Sequence, residues 1–308
     1  MSFTKKLQAN YETYCNKTSR LSNNFLHYPR TISIETQVKC NAQCSFCPYP
    51  TSPRSGQEMS TQLFHKIIDD LSKIPPTHKF SITLARINEP LLDKRLKKFS
   101  QLIAQKLPSA SQSFWTNGTM LQPGNFEWMS SFPSASLTIS LNSIDNKEHK
   151  KLMGFGVEKV FNNLDYLHQL IIEKKFSLSV NLSAPFQGIK KTTEIENFCS
   201  SRWPLFKLGI RPFFIWTGTS SKGEKEKKEY SSNATQLNHF PCAQWFDLHF
   251  LANGYMTKCC IDESGYSTDN YDASKMNALD IYSLSQALRE TLPPRENVSG
   301  CNNCHHLG

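Results

Sequence analysis

Residues 40–47 of the chain read Cys-Asn-Ala-Gln-Cys-Ser-Phe-Cys and place Cys40, Cys44 and Cys47 in a C-x3-C-x2-C pattern. The stretch follows the apolar run 31–38, which predicts a β-strand ending in a cysteine-bearing loop. Three thiolates are too few to close a structural zinc site, which takes four ligands. On an iron–sulfur cube they leave one iron open to a small molecule. The pattern therefore favours an open iron–sulfur cluster, with a zinc site completed from elsewhere and a chance grouping as the alternatives.

Apolar runs and helical patterns alternate beyond this loop. Six strand-to-helix units in series predict an α/β fold with a parallel sheet, either open or curled into part of a barrel. In such sheets ligands bind at the carboxyl ends of the strands, so we expect the site in the strand-end loops. The predicted strands are 31–38, 80–85, 113–116, 137–142, 176–182 and 210–216, and the predicted helices begin near Ser60 or cover 96–103, 157–174 and 192–199.

The composition narrows the functional classes. The 308 residues include 35 Lys and Arg against 26 Asp and Glu, a formal net charge of +9, and 10 cysteines. No run of about 18 apolar residues predicts a membrane-spanning helix, and the first thirty residues lack a signal-peptide core, so we expect a cytoplasmic protein. There, cysteines are more often ligands or catalysts than disulfides. No nucleic-acid recognition motif accompanies the charge, which favours an acidic electron donor such as flavodoxin or ferredoxin over nucleic acid.

The C-x3-C-x2-C pattern resembles the signature of the radical S-adenosylmethionine (radical SAM) superfamily, and the resemblance covers nearly the whole chain from about residue 31. It implies a partial (β/α)6 TIM-like barrel in which the three cysteines hold a [4Fe–4S] cluster and SAM chelates the free iron. It also implies reductive cleavage of SAM to a 5′-deoxyadenosyl radical that abstracts hydrogen from a substrate C–H bond. Phe46 occupies a position where the family often has an aromatic residue near the adenine.

The resemblance assigns cofactor contacts to three later loops. A Gly-Gly-Glu-type turn, which meets the SAM amino group, is expected at 86–90, although an asparagine replaces one glycine. A TNG turn is expected at 116–118, and positions facing the SAM ribose and carboxylate at 140–142. Each motif alone is typical of an ordinary turn. The order of the three motifs after the cysteine loop is what supports their assignment as cofactor contacts. The predicted cofactor-binding residues in these loops are Asn88, Glu89, Thr116, Asn117, Ser140 and Asn142.

Five further cysteines lie near the carboxyl end. The final C-x2-C is a metal half-site, and the cysteines around a hairpin signal at 253–254 supply another half. Spacing alone fits both zinc and a fully ligated iron–sulfur cluster. The arrangement resembles the twitch form of a SPASM extension, which implies one auxiliary [4Fe–4S] cluster with one of two adjacent cysteines spare; a structural zinc site is the alternative. The predicted ligands are Cys242, Cys259, Cys260, Cys301 and Cys304.

These motifs divide the chain into four segments. An N-terminal extension is expected at 1–30 and the radical SAM partial barrel at 31–216. A polar, lysine- and glutamate-rich linker is expected at 217–237. Residues 238–308 are then expected to form a small β-hairpin and helix domain of SPASM or twitch type.

A second, fully ligated cluster is suited to accept one electron from a substrate radical. The leading hypothesis is therefore a radical SAM oxidoreductase acting on a small polar substrate, such as a sugar or cyclitol, or on a peptide. Peptide maturation and a redox-neutral epimerisation or rearrangement are alternatives, and a zinc-stabilised module binding RNA or protein is the alternative of another class. No catalytic base is predicted. The predicted substrate-contacting residues are Asn181, Ser183, Gln187, Arg211 and Trp216.

Overall fold

The computed structural model describes residues 25–185, 187–211, 243–257, 259–260, 262–263 and 269–291. The predicted linker 217–237 therefore lies outside the described residues, as does most of the predicted N-terminal extension. Four predicted site residues also lie outside them: Trp216, Cys242, Cys301 and Cys304.

The described strands are β1 (Thr31–Ile34), β2 (Phe80–Thr83), β3 (Ala110–Thr116), β4 (Ser136–Ser140), β5 (Ser179–Pro185), β6 (Lys207–Arg211), β7 (Asp247–Phe250) and β8 (Met256–Thr257). They form one sheet in the order β6-β5-β4-β3-β2-β1-β7-β8. Every neighbouring pair is parallel except β7 and β8. α-Helices lie between β1 and β2, between β2 and β3, between β4 and β5 and between β5 and β6, in keeping with the long crossovers that parallel pairing requires. The predicted α/β class is confirmed.

The described helices are α1 (Thr61–Leu71), α2 (Leu96–Lys106), α3 (Asn146–Met153), α4 (Glu158–Ile172), α5 (Ile189–Arg202) and α6 (Ala278–Thr291). The predicted start of α1 is confirmed, because the Ser60 hydroxyl accepts a hydrogen bond from the Leu63 amide at 3.1 Å and caps the first turn. Among the described helices, none has the length and apolar character needed to cross a membrane.

The sheet has one apolar face, which packs against the helices. Along β4 and β5, Leu137, Ile139, Val180 and Leu182 are buried in this core. Because side chains alternate along a strand, the residues between them face the other way. We call that second face of β2 to β6 the inner face. Its members at and near the carboxyl ends are Ser113, Trp115, Thr138, Ser140, Asn181, Ser183, Lys207, Gly209 and Arg211.

The sheet curls toward its inner face. The guanidinium carbon of Arg211, on β6, lies 4.4 Å from the ring centroid of Trp115, on β3. These strands are three positions apart, roughly 14 Å in a flat sheet at about 4.8 Å per strand. Their side chains therefore meet because the strands are brought toward one another, as in a partial barrel.

Three predicted strands begin three residues earlier or later than expected. The strand predicted at 113–116 is β3, which begins at Ala110, and the other two are β5 and β6. The strand predicted at 176–182 is β5, which starts three residues later, because Phe176 and Leu178 are buried in the core before the hydrogen-bonded ladder begins. The strand predicted at 210–216 is β6, which starts three residues earlier. Apolar residues indicate where the chain is buried, which is not always where a strand is hydrogen-bonded. Buried residues precede the hydrogen-bonded ladder of β5, whereas the ladder of β6 begins before the apolar run.

β7 and β8 continue the same sheet on its other side. β7 runs parallel to β1, and Arg30 holds the two strands together through a bidentate pair with buried Asp247, at 2.9 and 2.8 Å. The predicted hairpin at 253–254 is confirmed: β8 pairs antiparallel to β7, and Gly254 has a φ of +91°. Of the described strands in the predicted auxiliary segment, β7 thus borders β1 and β8 borders β7, while the predicted domain boundaries stay predictions.

Candidate active site

The three cysteines of the first motif lie in the loop that follows β1. All three are half-buried free thiols. Burial raises the pKa of Cys40 to about 11 and that of Cys47 to about 12. The pKa of Cys44 rises further, first through burial and then through repulsion from Cys47 and Cys40. Such a site disfavours thiolates until a cationic metal group compensates them.

The cysteine loop is fixed by the carboxyl end of α3. The amides of Gln43 and Ser45 donate to the carbonyls of Met153 and Leu152, both at 2.9 Å. These carbonyls belong to the last turn of a helix, which lacks intrahelical donors. The Met153 sulfur also lies 3.4 Å from the Cys44 sulfur. A helix with the polar sequence NKEHKKLM, absent from the sequence-based expectations, therefore supports the loop that carries the motif.

Gly154 ends α3 directly beneath the cysteine loop. Its φ is +84°, and a Cβ there would lie 2.9 Å from the Cβ and 3.2 Å from the amide nitrogen of Gln43. We expect Gly154→Ala to lower the iron content after anaerobic reconstitution and to destabilise the protein by about 2–4 kcal/mol, through backbone strain and overpacking. Gly124→Ala is the matched control, since its φ is +86° and nothing lies within 4 Å of the added methyl. Gly124→Ala should lower the free energy of unfolding by about 1–2 kcal/mol through backbone strain alone and should keep its iron. Equal iron loss in both variants would contradict the assignment of the cysteine loop as the cluster site.

Glu89 is the buried centre of the neighbouring loops, with 1% of its surface exposed. One carboxylate oxygen accepts from the Thr116 hydroxyl at 2.8 Å and the Leu91 amide at 3.2 Å, and the other from the Asn117 amide at 2.7 Å. Burial nevertheless raises the pKa of Glu89 to about 7. Three of roughly four acceptor positions are occupied, so the carboxylate retains one position for an external cation.

The predicted TNG turn links Glu89 to the cysteine loop. The Asn117 side-chain amide donates to the Asn41 side chain at 2.7 Å and lies 3.9 Å from the Cys40 sulfur. Gly118 has a φ of +80°, and a Cβ there would lie 2.9 Å from Val160, so glycine is required. Strands β2 and β3 thus bring Glu89 and the predicted turn against the first cysteine.

Asn88 uses its side chain within its own turn. Its oxygen accepts from the Arg86 amide at 2.7 Å, and its nitrogen donates to the Leu84 carbonyl at 3.1 Å. These bonds close the turn where the resemblance expects a glycine. A cofactor contact by Asn88 stays a prediction. Because the side-chain amide is engaged within the turn, such a contact would use the Asn88 backbone.

The end of β4 meets the cysteine loop from the other side. The Asn142 side-chain nitrogen lies 2.6 Å from the Met153 sulfur, and the Asn142 carbonyl accepts from the Gln187 side chain at 2.7 Å. Ser140 is half-buried on the inner face and stands opposite Ser183 in the register of β4 and β5. Four predicted residues therefore lie in one region, although their ligand contacts stay predictions.

Phe46 and the remaining pocket candidates complete the arrangement. Phe46 is half-buried within the cysteine loop itself. Asn181 lies on the inner face, one pleat below Ser183, and Arg211 stands at the carboxyl end of β6. The structure thus places the described candidates at or near one rim of the sheet.

A buried charge cluster, defined here as Glu35, Arg54, Arg86 and Glu263, was missed by the sequence analysis. Arg54 hydrogen-bonds to both Glu35 and Glu263, and Arg86 pairs with Glu263 at 3.0 Å and approaches Glu35 at 4.0 Å. The side chains of Glu35 and Arg86 are 0% and 1% exposed. Burial raises the pKa of Glu35, although both arginines oppose the shift. The available signal was a charge directly after each of two apolar strands.

This cluster joins the second cysteine loop to the first. Arg86 donates to the Thr257 hydroxyl at 3.0 Å and to the Asp262 carbonyl, and the Thr257 hydroxyl donates to the Cys259 carbonyl at 2.9 Å. Glu263 also lies close enough to Cys47 to raise the pKa of that thiol. The charge cluster thus reaches the half-buried Cys259 through Thr257 and the first motif through Glu263.

We expect Arg86→Met to lower the free energy of unfolding by about 3–5 kcal/mol, because it leaves buried Glu35 short of counter-charge. Adding Glu35→Gln should recover part of that loss, since the two residues share one network. Denaturant unfolding of the reduced, metal-free protein measures both. Lys106→Met, which breaks an exposed pair with Asp69, is the control and should cost less than about 1 kcal/mol. Equal losses for Arg86→Met and Lys106→Met would contradict the expectation.

The segment that carries this site matches a known family. Residues 34–183, which include the cysteine loop, Glu89 and the inner face of β4 and β5, match the Radical SAM superfamily. The chain belongs to the radical SAM superfamily. It is thus a radical SAM enzyme, with a [4Fe–4S] cluster and SAM as cofactors.

Relatives of this radical SAM chain differ in substrate. It is 22% identical over 245 residues to YydG of Bacillus subtilis, whose name assigns it provisionally to peptide biosynthesis, covering 76% of this chain and 70% of YydG. A 91-residue stretch is 31% identical to the S-adenosyl-L-methionine-dependent 2-deoxy-scyllo-inosamine dehydrogenase of Niallia circulans, covering 29% and 36% of the two chains. Streptococcus suis SuiB bound to S-adenosylmethionine matches with a TM-score of 0.63 at 14% identity, covering 89% of this chain and 71% of SuiB. This last match shows the shared fold alone.

The residues of this radical SAM chain fit the family cofactors. Three half-buried free thiols share one loop without closing a site: among the described residues, no three His, Cys, Asp or Glu side chains are placed to hold one metal ion. Each thiolate of a cube binds a different iron, so a common ion position is not required. Glu89 adds a buried carboxylate with a free acceptor position.

Proposed function

We propose that this chain is a radical SAM oxidoreductase and that its second cysteine loop holds an auxiliary [4Fe–4S] cluster. The observation that supports the proposal is the buried charge cluster, which connects to Cys259 through Thr257 and to Cys47 through Glu263. The cluster would thereby order both loops, which carry the thiol groups proposed to hold metal. Buried polar networks of this kind rigidify the segments that they join.

The chain's own residues would hold and orient the reactants. Glu89 would accept a hydrogen bond from the SAM ammonium, and Asn142, with Ser140, would meet the ribose and carboxylate. When bound, the reduced cluster supplies the electron that cleaves SAM, yielding the radical that takes hydrogen from the substrate. The polar inner face would orient the substrate, and its enclosure by Trp115 would limit access of water to the reacting carbon.

The substrate in this proposal is a small polar molecule or a peptide. The dehydrogenase of Niallia circulans supports the first by its name and YydG supports the second. The hydroxyl and amide groups at Ser140, Asn181 and Ser183 suit either, since both ligands present hydrogen-bonding groups. An acidic electron donor remains part of the proposal on the basis of the +9 charge.

A triple variant tests the second cluster. Replacing Cys40, Cys44 and Cys47 together with alanine removes the first cluster, so any remaining iron and sulfide belongs elsewhere. We expect about four irons per chain and a reduced-cluster electron paramagnetic resonance signal after anaerobic reconstitution. Cys259→Ala and Cys260→Ala in that background then identify the ligand. Zinc without sulfide, or no metal, would exclude the auxiliary cluster and with it the oxidative assignment.

A further inference from the structure

Arg211 is a cation at the carboxyl end of β6. Its guanidinium stacks over the ring of Trp115 at 4.4 Å, and the Trp115 indole nitrogen donates to the Ser113 hydroxyl at 3.0 Å, which fixes the ring. Among the described residues, no carboxylate or hydrogen-bond acceptor engages Arg211. The side chain is exposed, yet partial desolvation by the surrounding protein lowers the pKa of Arg211. That combination is expected of a group lining an open cavity within the curled sheet.

The inner face offers this guanidinium no anion. On β2 to β6 the residues that alternate with the buried core residues are hydroxyl, amide, aromatic, glycine, proline or cationic, and none is Asp or Glu. Lys207 lies on the same face of β6, two positions before Gly209 and four before Arg211. The positive charge of this face is therefore uncompensated by the described strands, and an anion entering it would gain a charge-assisted contact.

Gly209 leaves space beside Arg211. A Cβ at this position would meet only the Leu182 carbonyl, at 3.8 Å, so the inner face is open there. Ser183 stands opposite Gly209 in the register of β5 and β6. A notch thus exists between Lys207 and Arg211, with a serine hydroxyl on its neighbouring strand.

We propose that Arg211 binds an anionic group of the substrate, a carboxylate or a phosphate, in the notch left by Gly209. The stack on Trp115 occupies the face of the guanidinium and leaves its edge, where the planar fork of N–H donors matches two oxygens of such a group. This inference rests on the proposed function only in naming the ligand as the substrate. It makes Arg211 a specificity-determining residue, because a neutral analogue would leave the cation without its partner.

Arginine-selective labelling with phenylglyoxal tests the site on the reconstituted, SAM-bound enzyme. Labelling rates at Arg211 are measured by mass spectrometry with inorganic phosphate, with N-acetylglutamate α-amide, and with chloride at equal ionic strength. We expect one of the first two to slow labelling about threefold at twice its dissociation constant. Protection by the amide indicates an acidic side chain of a peptide, and protection by phosphate indicates a phosphorylated small molecule. Arg202, paired with Asp165 on the outside, should be unaffected.

Gly209→Val fills the notch without changing a charge and should abolish the protection while Arg211 still reacts. The inference is overturned if Arg211 is unreactive without anions, if neither probe protects it beyond chloride, or if Gly209→Val keeps the protection. Reductive SAM cleavage, followed separately, reports on the proposed function. Failure of cleavage with protection intact would reject the function and leave the anion site standing.

Discussion

Replacing Cys44 with alanine is expected to abolish reductive SAM cleavage, down to the level of the protein-free control. Cys44 has the most strongly raised pKa of the three thiols and contacts Met153, so its loss removes a ligand from the interior of the loop. With two thiolates the cube cannot be held as an open-iron cluster. Iron content should fall by about four per chain, and 5′-deoxyadenosine, measured anaerobically with dithionite, should be absent.

The matched control for that variant is Cys199→Ala. Cys199 is also a buried free cysteine, but it lies on α5 in the apolar core. Its removal should leave iron content and SAM cleavage unchanged and reduce stability only by the small cavity it creates. If Cys44→Ala retained both cluster and cleavage, the first motif would not be the SAM site.

Glu89→Gln is expected to weaken SAM binding by roughly 2–4 kcal/mol, about 30- to 700-fold. Glutamine keeps the shape of the side chain but removes the charge that would meet the SAM ammonium. It also brings an amide N–H group toward the Thr116 and Asn117 donors that the carboxylate now satisfies. Equilibrium dialysis of SAM against the reconstituted, oxidised enzyme measures the change without turnover.

Glu127→Gln supplies the control for Glu89. Glu127 also accepts hydrogen bonds from two amides and a tyrosine hydroxyl, but it lies beyond β3 on the helical side. Its replacement should leave SAM affinity within about twofold of the wild type, a difference below about 0.5 kcal/mol. Full SAM affinity in Glu89→Gln, with iron content preserved, would remove Glu89 from the cofactor site.

The raised pKa of Glu89 also predicts two opposite pH dependences. Without SAM the folded protein holds a proton on Glu89 up to a pKa of about 7, whereas the unfolded chain releases it near 4.5. Stability of the SAM-free protein should therefore fall as the pH rises from about 4.5 to about 7. SAM affinity should instead rise with pH through about 7 as the carboxylate ionises. Both dependences should vanish in Glu89→Gln, as followed by thermal unfolding and dialysis across this range.

Local patterns in the sequence predicted most of the fold. The helix behind Ser60 and the strands at β3 and β4 follow from apolar periodicity and turn residues, which depend only on near neighbours. Helix α3 was missed because its sequence is almost entirely polar; it exists because Asp145 caps it and His149 and Met153 are buried. Apolar periodicity is recognised only when several apolar residues recur along one face of a helix, and the two buried residues of α3 are too few for that.

The candidate site likewise has one part that local sequence patterns predict and another part that they do not. The cysteine motif and the loops around Glu89 were predictable because each is contiguous in sequence. The buried charge cluster was not, because Glu35 and Glu263 are separated by most of the chain and only the sheet order brings them together. The stacking of Arg211 on Trp115 likewise depends on sheet curvature, which a single sequence does not encode in any local pattern.

The strand that carries the first motif has a partner made late in synthesis. β1 is flanked by β2 and by β7, and the Arg30–Asp247 pair spans 217 positions of the chain. Contacts of such long range form slowly, because a large loop must close before they stabilise anything. On the ribosome, the cysteine loop must therefore wait, bordered on one side only, until nearly all of the polypeptide has emerged. Maturation enzymes that deliver iron and sulfide would meet a loop bordered by β2 alone during synthesis, and a loop bordered by both β2 and β7 once the chain is complete.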